Sequence, residues 1–406
     1  MIVFAGATLV LPDRVIDAGS IVASDGRIES IHDRAIDQPA GAIYLDLAGH
    51  VIVPGFIDVH VHGVEGVDVL DDEQAVARVA AILPKYGVTA FCPTSIACTP
   101  EKLSALLSGV TAARATRAPG SARVLPAHLE SNFINPEFKG AQPLGCLRLP
   151  RAQGAQGAQG AQGAQGAQSA QGAFTGDDIL AVIAKQRPSV GIVTLAPELP
   201  GGIDLVRDLV THGHRVSLGH TGATYDEARA AIDAGARQAT HLFNRMSLMS
   251  SRAPGVAGAV LESTAVAAEL ICDGVHVHPA LMSMAIRAKT ARRMMAITDG
   301  TAGAGLPPGS RTRIGDRAIV VTDRCALLED GTLAGSILSM DGAFRMLVNE
   351  VKLSLADASR MCSTTPAEEL GLRDQGAIEV GKTADLVVLG RNLRVRGTYL
   401  AGERAQ

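Results

Sequence analysis

Pro54-Gly55-Phe56-Ile57-Asp58-Val59-His60-Val61-His62-Gly63 is an apolar run carrying polar side chains at every second position toward its end. Strand side chains alternate between faces, so Asp58, His60 and His62 are expected to point the same way. Two imidazoles about 7 Å apart along a strand can grip one metal ion. Two ordinary histidines near a strand end would look the same. What separates the readings is whether other ligand-type residues converge on the pair.

They recur at the ends of further apolar runs. Eight short runs lie at roughly 51–60, 88–93, 123–130, 190–195, 215–220, 238–241, 266–272 and 294–299. Glu130 ends the third, His220 the fifth, His241 the sixth and Asp299 the eighth. Segments with helical periodicity fall between runs, at 73–86, 101–113, 177–186, 225–234 and 280–288. Alternating strand and helix implies a parallel sheet, and eight such units closing on themselves make a (β/α)₈ barrel. The carboxyl ends of barrel strands meet at one mouth, where active sites lie. An open doubly wound sheet would carry a glycine fingerprint after its first strand, and none is present.

The termini read differently. Residues 1–50 alternate, with turn signals at Leu11-Pro12-Asp13 and Ser24-Asp25-Gly26, and 365–406 do the same. Both are expected to form one small β-sandwich, leaving 51–364 as the barrel. From Ala152 to Gly172, Ala-Gln-Gly repeats seven times, with Ser169 once in the glycine place. The tract has no apolar face to bury and no proline for a collagen helix, so a flexible insertion is expected.

The chain has 406 residues, 47% of them apolar, enough for a large core. A net charge of −4 gives no sign of a nucleic-acid partner. Any anionic substrate must be met by a few local cations. The six cysteines are scattered, without a C-x-x-C pair, as buried thiols of a reducing compartment would be. The apolar start lacks a basic n-region, and no spanning helix is visible. A cytoplasmic protein with no membrane partner is expected.

Eight segments together resemble the N-acetylglucosamine-6-phosphate deacetylase family of the amidohydrolase superfamily. They are 54–63, His128-Leu129-Glu130, 195–198, 219–224, Thr240-His241-Leu242-Phe243-Asn244, 273–277, Thr298-Asp299-Gly300 and Leu333-Ala334-Gly335-Ser336. They run nearly the whole chain in order, omitting the repeat. The resemblance implies that Glu130, His220 and His241 hold a metal present throughout the family. It implies that His60 and His62 hold a second ion found in some members, with Glu130 bridging. Asp299, counted with the ligands, would be the catalytic acid/base: it takes a proton from the attacking water and returns it to the leaving amine. Independently, mixed histidine and carboxylate ligands suit zinc first, and also iron or manganese, at one or two divalent ions per chain.

Phosphate needs donors, and the resemblance assigns Asn244, Arg245, Arg252 and His276 to a sugar phosphate. His276 would serve the neighbouring subunit's site, which implies a homodimer. Leu333, Ala334, Gly335 and Gln142 complete the expected substrate wall. Three departures fall near it: Ser131-Asn132 stands where Gly-Pro is usual, Gln142 where many members have a histidine, and Arg245 where a small residue is common. His32, His50, His212, His214 and His278 read as structural, and His128 as standing behind the ligands.

The expected activity is therefore deacetylation of an N-acetylhexosamine 6-phosphate, N-acetyl-D-glucosamine 6-phosphate first, to the amino sugar phosphate and acetate. The alternatives are N-acetylgalactosamine 6-phosphate, an unphosphorylated N-acyl compound, or a non-catalytic barrel scaffold. A cyclic-amide hydrolase would end its fourth strand in a modified lysine, and this run ends Thr194-Leu195-Ala196-Pro197-Glu198.

Overall fold

The computed structural model describes residues 1–150 and 174–405, so the Ala-Gln-Gly tract lies outside the described residues. Eight strands ring the centre: β1 Phe56–Val61, β2 Val88–Ser95, β3 Ala127–Glu130, β4 Val190–Leu195, β5 Arg215–Leu218, β6 Gln238–Ala239, β7 Ala267–Ile271 and β8 Met294–Ile297. Each pairs in parallel with the next. The ring closes where Val61 bridges Gly300 and the Asp299 N–H donates to His60 O at 3.0 Å.

Ile57, Val59, Ala90, Cys92, Ile192, Ala267, Ile271, Met295 and Ile297 pack into one cluster. Phe56, Phe91, Val193, Leu270 and Met294 pack with the surrounding helices in a larger one. Strands buried on both faces explain why the runs read as almost unbroken apolar stretches. Each fully buried Val, Leu, Ile, Phe or Met among them contributes about 1.5–3 kcal/mol. Helix starts follow local chemistry. Thr224 accepts the Glu227 N–H while Glu227 takes the Thr224 N–H, a reciprocal cap that launches Tyr225–Asp233 just after His220.

Two expected runs divide in the structure. In 51–60, Val51–Pro54 joins the terminal sheet, between Ile2–Val10 and Leu386–Leu389, and only Phe56–Val61 enters the barrel. Gly55 marks the crossing, where a Cβ would stand 2.1 Å from Thr89 Oγ1. In 123–130, Pro126 has no N–H to donate, and the run splits into Arg123–Val124 and Ala127–Glu130.

Both termini build one mixed sheet of eight strands. On one edge Ile2–Val10 pairs with Ile43–Asp46 over its first half and with Val51–Pro54 over its second; on the other it pairs antiparallel with Val15–Ser24, with register shifts between Ala5 and Leu9. The sheet curls over its own core, where Phe4 meets Tyr399 edge to face at 4.8 Å. A second sheet, Arg311–Ile314, Arg317–Val321 and Ala326–Leu328, was not anticipated from the sequence. It brings Ile314 to the cavity at the barrel mouth.

Candidate active site

His60, His62, Glu130, His220, His241 and Asp299 meet at the carboxyl ends of five barrel strands. His220, His241 and Asp299 have positive φ, at 48°, 30° and 50°. Such backbone costs about 1–3 kcal/mol per residue and clusters at functional sites. Here it ends the strand and turns the side chain inward.

Glu130 Oε1 lies 2.7 Å from His220 Nε2 and 2.8 Å from His241 Nε2, and the two nitrogens are 3.0 Å apart. Beside this triangle, His60 Nε2 and His62 Nε2 are 3.2 Å apart. Asp299 Oδ1 faces both, at 3.3 and 3.1 Å. Glu130 looks toward the same pair, with Oε2 3.6 Å from His62 Nε2 and Oε1 3.9 Å from His60 Nε2. All six residues are buried.

The outer nitrogens determine which nitrogen is free. His60 Nδ1 lies 2.9 Å from Glu269 Oε2, His62 Nδ1 3.0 Å from Thr94 O and His220 Nδ1 2.8 Å from Phe138 O. Those oxygens only accept, so each Nδ1 carries the hydrogen and each Nε2 offers its lone pair to the centre. His241 Nδ1 is buried with no partner. Donors about 2.0–2.1 Å from one ion stand about 3 Å apart, which the Glu130–His220–His241 triangle fits. Glu130–His220–His241 and His60–His62–Glu130 are thus each able to hold a divalent ion.

Electrostatics agree with a cation site. Burial works against charge on His60, but Asp299, Glu269 and Glu130 raise it to about 10, so without an ion Nε2 also carries a proton, which a bound cation would displace. Burial likewise opposes the charged carboxylates, yet His220 drives Glu130 well below the usual range and His60 and His62 lower Asp299. His128 is different: burial lowers it to about 4, and it lies against Val59 O and Thr194 Oγ1, outside both ligand triangles.

Asp58 departs from the expected geometry. The pairing of β1 with β2 shifts between Asp58 and Val61, and such an irregularity re-aims side chains. Asp58 therefore shares a gap with Val61, Tyr86 and Met340, on the side away from the ligands. It accepts from Thr298 Oγ1 at 2.6 Å, one residue before Asp299, and burial pushes its carboxyl up to about 7.

A cavity of about 480 Å³ opens above the ligands, walled by Phe138, Gln142, Asn244, Arg245, His276, Leu333 and Gly335. Ala334 is buried behind that wall. Gln142 is tied to the ligands: its Oε1 accepts the Ala97 N–H at 2.7 Å and its Nε2 donates to Glu130 Oε2. His276 lines the cavity of its own chain, pinned by Asp273 at 2.6 Å. Arg252 is exposed and is not among the residues that line that cavity. A cavity of similar size at the opposite end, near Cys92, Arg215 and Glu369, holds none of the candidate residues.

Sequence reading missed the roles of Glu198 and Glu269. Glu198 Oε1 accepts from Asn135 Nδ2 and the Gly222 N–H at 2.8 and 2.7 Å, and Oε2 accepts from Thr221 at 2.5 Å, joining three loops. Glu269 is a carboxylate inside an otherwise apolar strand, a signal the sequence does contain.

A closed parallel barrel with histidines and carboxylates gathered at its mouth defines a metal-dependent hydrolase. The amidohydrolase family matches residues 51–405. The N-acetylglucosamine-6-phosphate deacetylase of Bacillus subtilis (strain 168) is 32% identical, over 98% of this chain and 95% of that one. The N-acetylgalactosamine-6-phosphate deacetylase of Escherichia coli O157:H7 is also 32% identical, over 96% and 95%. A mutant N-acetyl-D-glucosamine-6-phosphate deacetylase from Mycobacterium smegmatis, in complex with N-acetyl-D-glucosamine-6-phosphate, has a TM-score of 0.86 at 31% identity, covering 100% and 99%. The chain belongs to the amidohydrolase family and, within it, to the N-acetylglucosamine-6-phosphate deacetylases. It is a hydrolase of an amide C–N bond.

Proposed function

We propose that this chain removes the acetyl group from an N-acetylhexosamine 6-phosphate, N-acetyl-D-glucosamine 6-phosphate first, yielding the amino sugar phosphate and acetate. The observation that carries the reading is the placement of Asp299 beside the ligand pairs, at the floor of a cavity walled by Asn244, Arg245 and His276.

Glu130, His220 and His241 would hold one divalent ion, and His60 and His62 with Glu130 a second. When bound, such an ion lowers the pKa of water toward about 7 and polarises a carbonyl. Zinc suits this donor set first, with iron or manganese as alternatives. Asp299 is ionised at neutral pH, because His60 and His62 outweigh its burial. Its Oδ1 takes the proton of the attacking water and then delivers it to the amide nitrogen as the C–N bond breaks. Arg245 and His276 meet the phosphate, and Asn244 orients the sugar. Asn244 is itself braced by its Nδ2, 3.2 Å from His241 O.

N-acetylgalactosamine 6-phosphate is the second reading, favoured by the likeness to the Escherichia coli enzyme. A homodimer and a cytoplasmic location complete the proposal. Among the described residues, no helix is long and apolar enough to cross a membrane. Acetate release should be measured on N-acetylhexosamines with and without 6-phosphate, and the protein's mass in solution by light scattering. Faster turnover of unphosphorylated sugars would sink the phosphate assignment.

A further inference from the structure

Glu269 sits in the middle of β7, fully buried, with its side chain under the ligand cluster. An ionised carboxylate in a barrel core is expensive unless its oxygens are satisfied. Three N–H groups satisfy these: His60 Nδ1 at 2.9 Å and the His241 backbone N–H at 3.2 Å on Oε2, and Gln238 Nε2 at 2.5 Å on Oε1. Gln238 cannot readily turn its amide round, because its Oε1 accepts from Arg215 Nε at 2.7 Å. The carboxylate therefore has an acceptor-only role. It also links His60, in one ligand pair, to the backbone of His241, in the other.

The neighbouring imidazoles are held differently. His62 and His220 face neutral backbone carbonyls through Nδ1, whereas His60 faces a charge. A carboxylate behind a histidine fixes its tautomer and makes the opposite nitrogen a stronger donor to a cation. An apolar side chain at 269 would fill the strand as well and avoid the burial of charge.

We infer that Glu269 is a positioning residue for the second ion: it holds His60 with Nδ1 protonated and Nε2 turned to the His60–His62–Glu130 position. This rests on the metal-hydrolase reading but not on the identity of the sugar. In Glu269→Gln the shape is kept, but one N–H of the new amide must face His60, His241 or Gln238, each of which is also a donor.

The test is metal titration of metal-stripped full-length protein with Zn²⁺ against a chromophoric chelator, with elemental analysis and the melting temperature of the metal-free form. Wild type should take two ions. Glu269→Gln should keep the tighter one and weaken the second about 10- to 100-fold, with little change in metal-free melting temperature. Glu269→Asp, which keeps the charge but withdraws it by one methylene, should show the same selective loss and covers the case in which the amide variant misfolds. The inference is overturned if either folded variant binds both ions as wild type does, if both ions weaken together, or if wild type never exceeds one. None of these readouts involves a substrate, so an unexpected sugar preference would leave the outcome intact.

Discussion

Glu130 places Oε2 3.6 Å from His62 Nε2, while its other oxygen lies against His220 and His241. One carboxylate thus faces both ligand pairs, the arrangement a bridging ligand requires. Elemental analysis of protein prepared with excess metal should approach two ions per chain. His60→Asn with His62→Asn should bring it to one. A wild-type value fixed at one, with both histidines replaceable without loss of turnover, would exclude the two-ion form.

Asp299 is held by its backbone to His60 O and by its side chain to the His60–His62 pair. Asn at this position keeps the shape and loses the base. Turnover should fall by roughly a hundredfold or more, the usual range for removing a general acid–base, while the ion at Glu130, His220 and His241 stays bound. Single-turnover acetate release and metal content measured on the same sample check both halves. Near-normal turnover would take Asp299 out of the chemistry.

The barrel and the ligand set were legible because strand ends carry their own marks: an apolar run closed by His, Glu or Asp. Three details were not. The turn of Asp58 away from the ligands depends on a shift in strand pairing, which spacing along one strand does not reveal. Arg252 lies seven residues beyond Arg245, after the positive φ angles of Phe243 and Arg245, and composition alone does not tell whether such a loop arginine faces the cavity or solvent. Glu269 was visible as a charge in an apolar run, but its partners are 28 to 209 residues away in sequence.

Lys289 offers a pH test of stability remote from the site. Its Nζ donates to Val260 O at 3.0 Å and to Ser263 O, capping a helix end without a carboxylate partner. Burial, with Arg293 adding repulsion, lowers it from 10.5 to about 8. The folded state therefore binds fewer protons than the unfolded state between these values. Below about 8 both states are protonated and the destabilisation is full; as pH rises from there toward 10.5 it is relieved. Relative to Lys289→Met, wild type should gain stability across that window, by at most about 1.4 kcal/mol per pH unit. Urea melts of both proteins at a series of pH values give the difference, and parallel curves would contradict it.

The phosphate end of the cavity yields the sharpest functional prediction. Arg245 lines the cavity of its own chain and Arg252 does not. A hydrogen bond to a charged group contributes about 1.5–3 kcal/mol. Arg245→Ala should therefore lower kcat/KM for the 6-phosphate by tenfold or more and leave the unphosphorylated sugar little changed. Arg252→Ala separates two assemblies. If each chain works alone, this exposed side chain has no phosphate to meet and both substrates should react as before. If the proposed homodimer brings it to the neighbouring cavity, its loss should again fall selectively on the phosphorylated sugar. Mixing Arg252→Ala with Asp299→Asn protein then decides the matter. A shared site would return part of the lost kcat/KM, because chains with an intact Asp299 acquire a neighbour with an intact Arg252. Activity that only adds in proportion to the mixture would place Arg252 outside phosphate recognition.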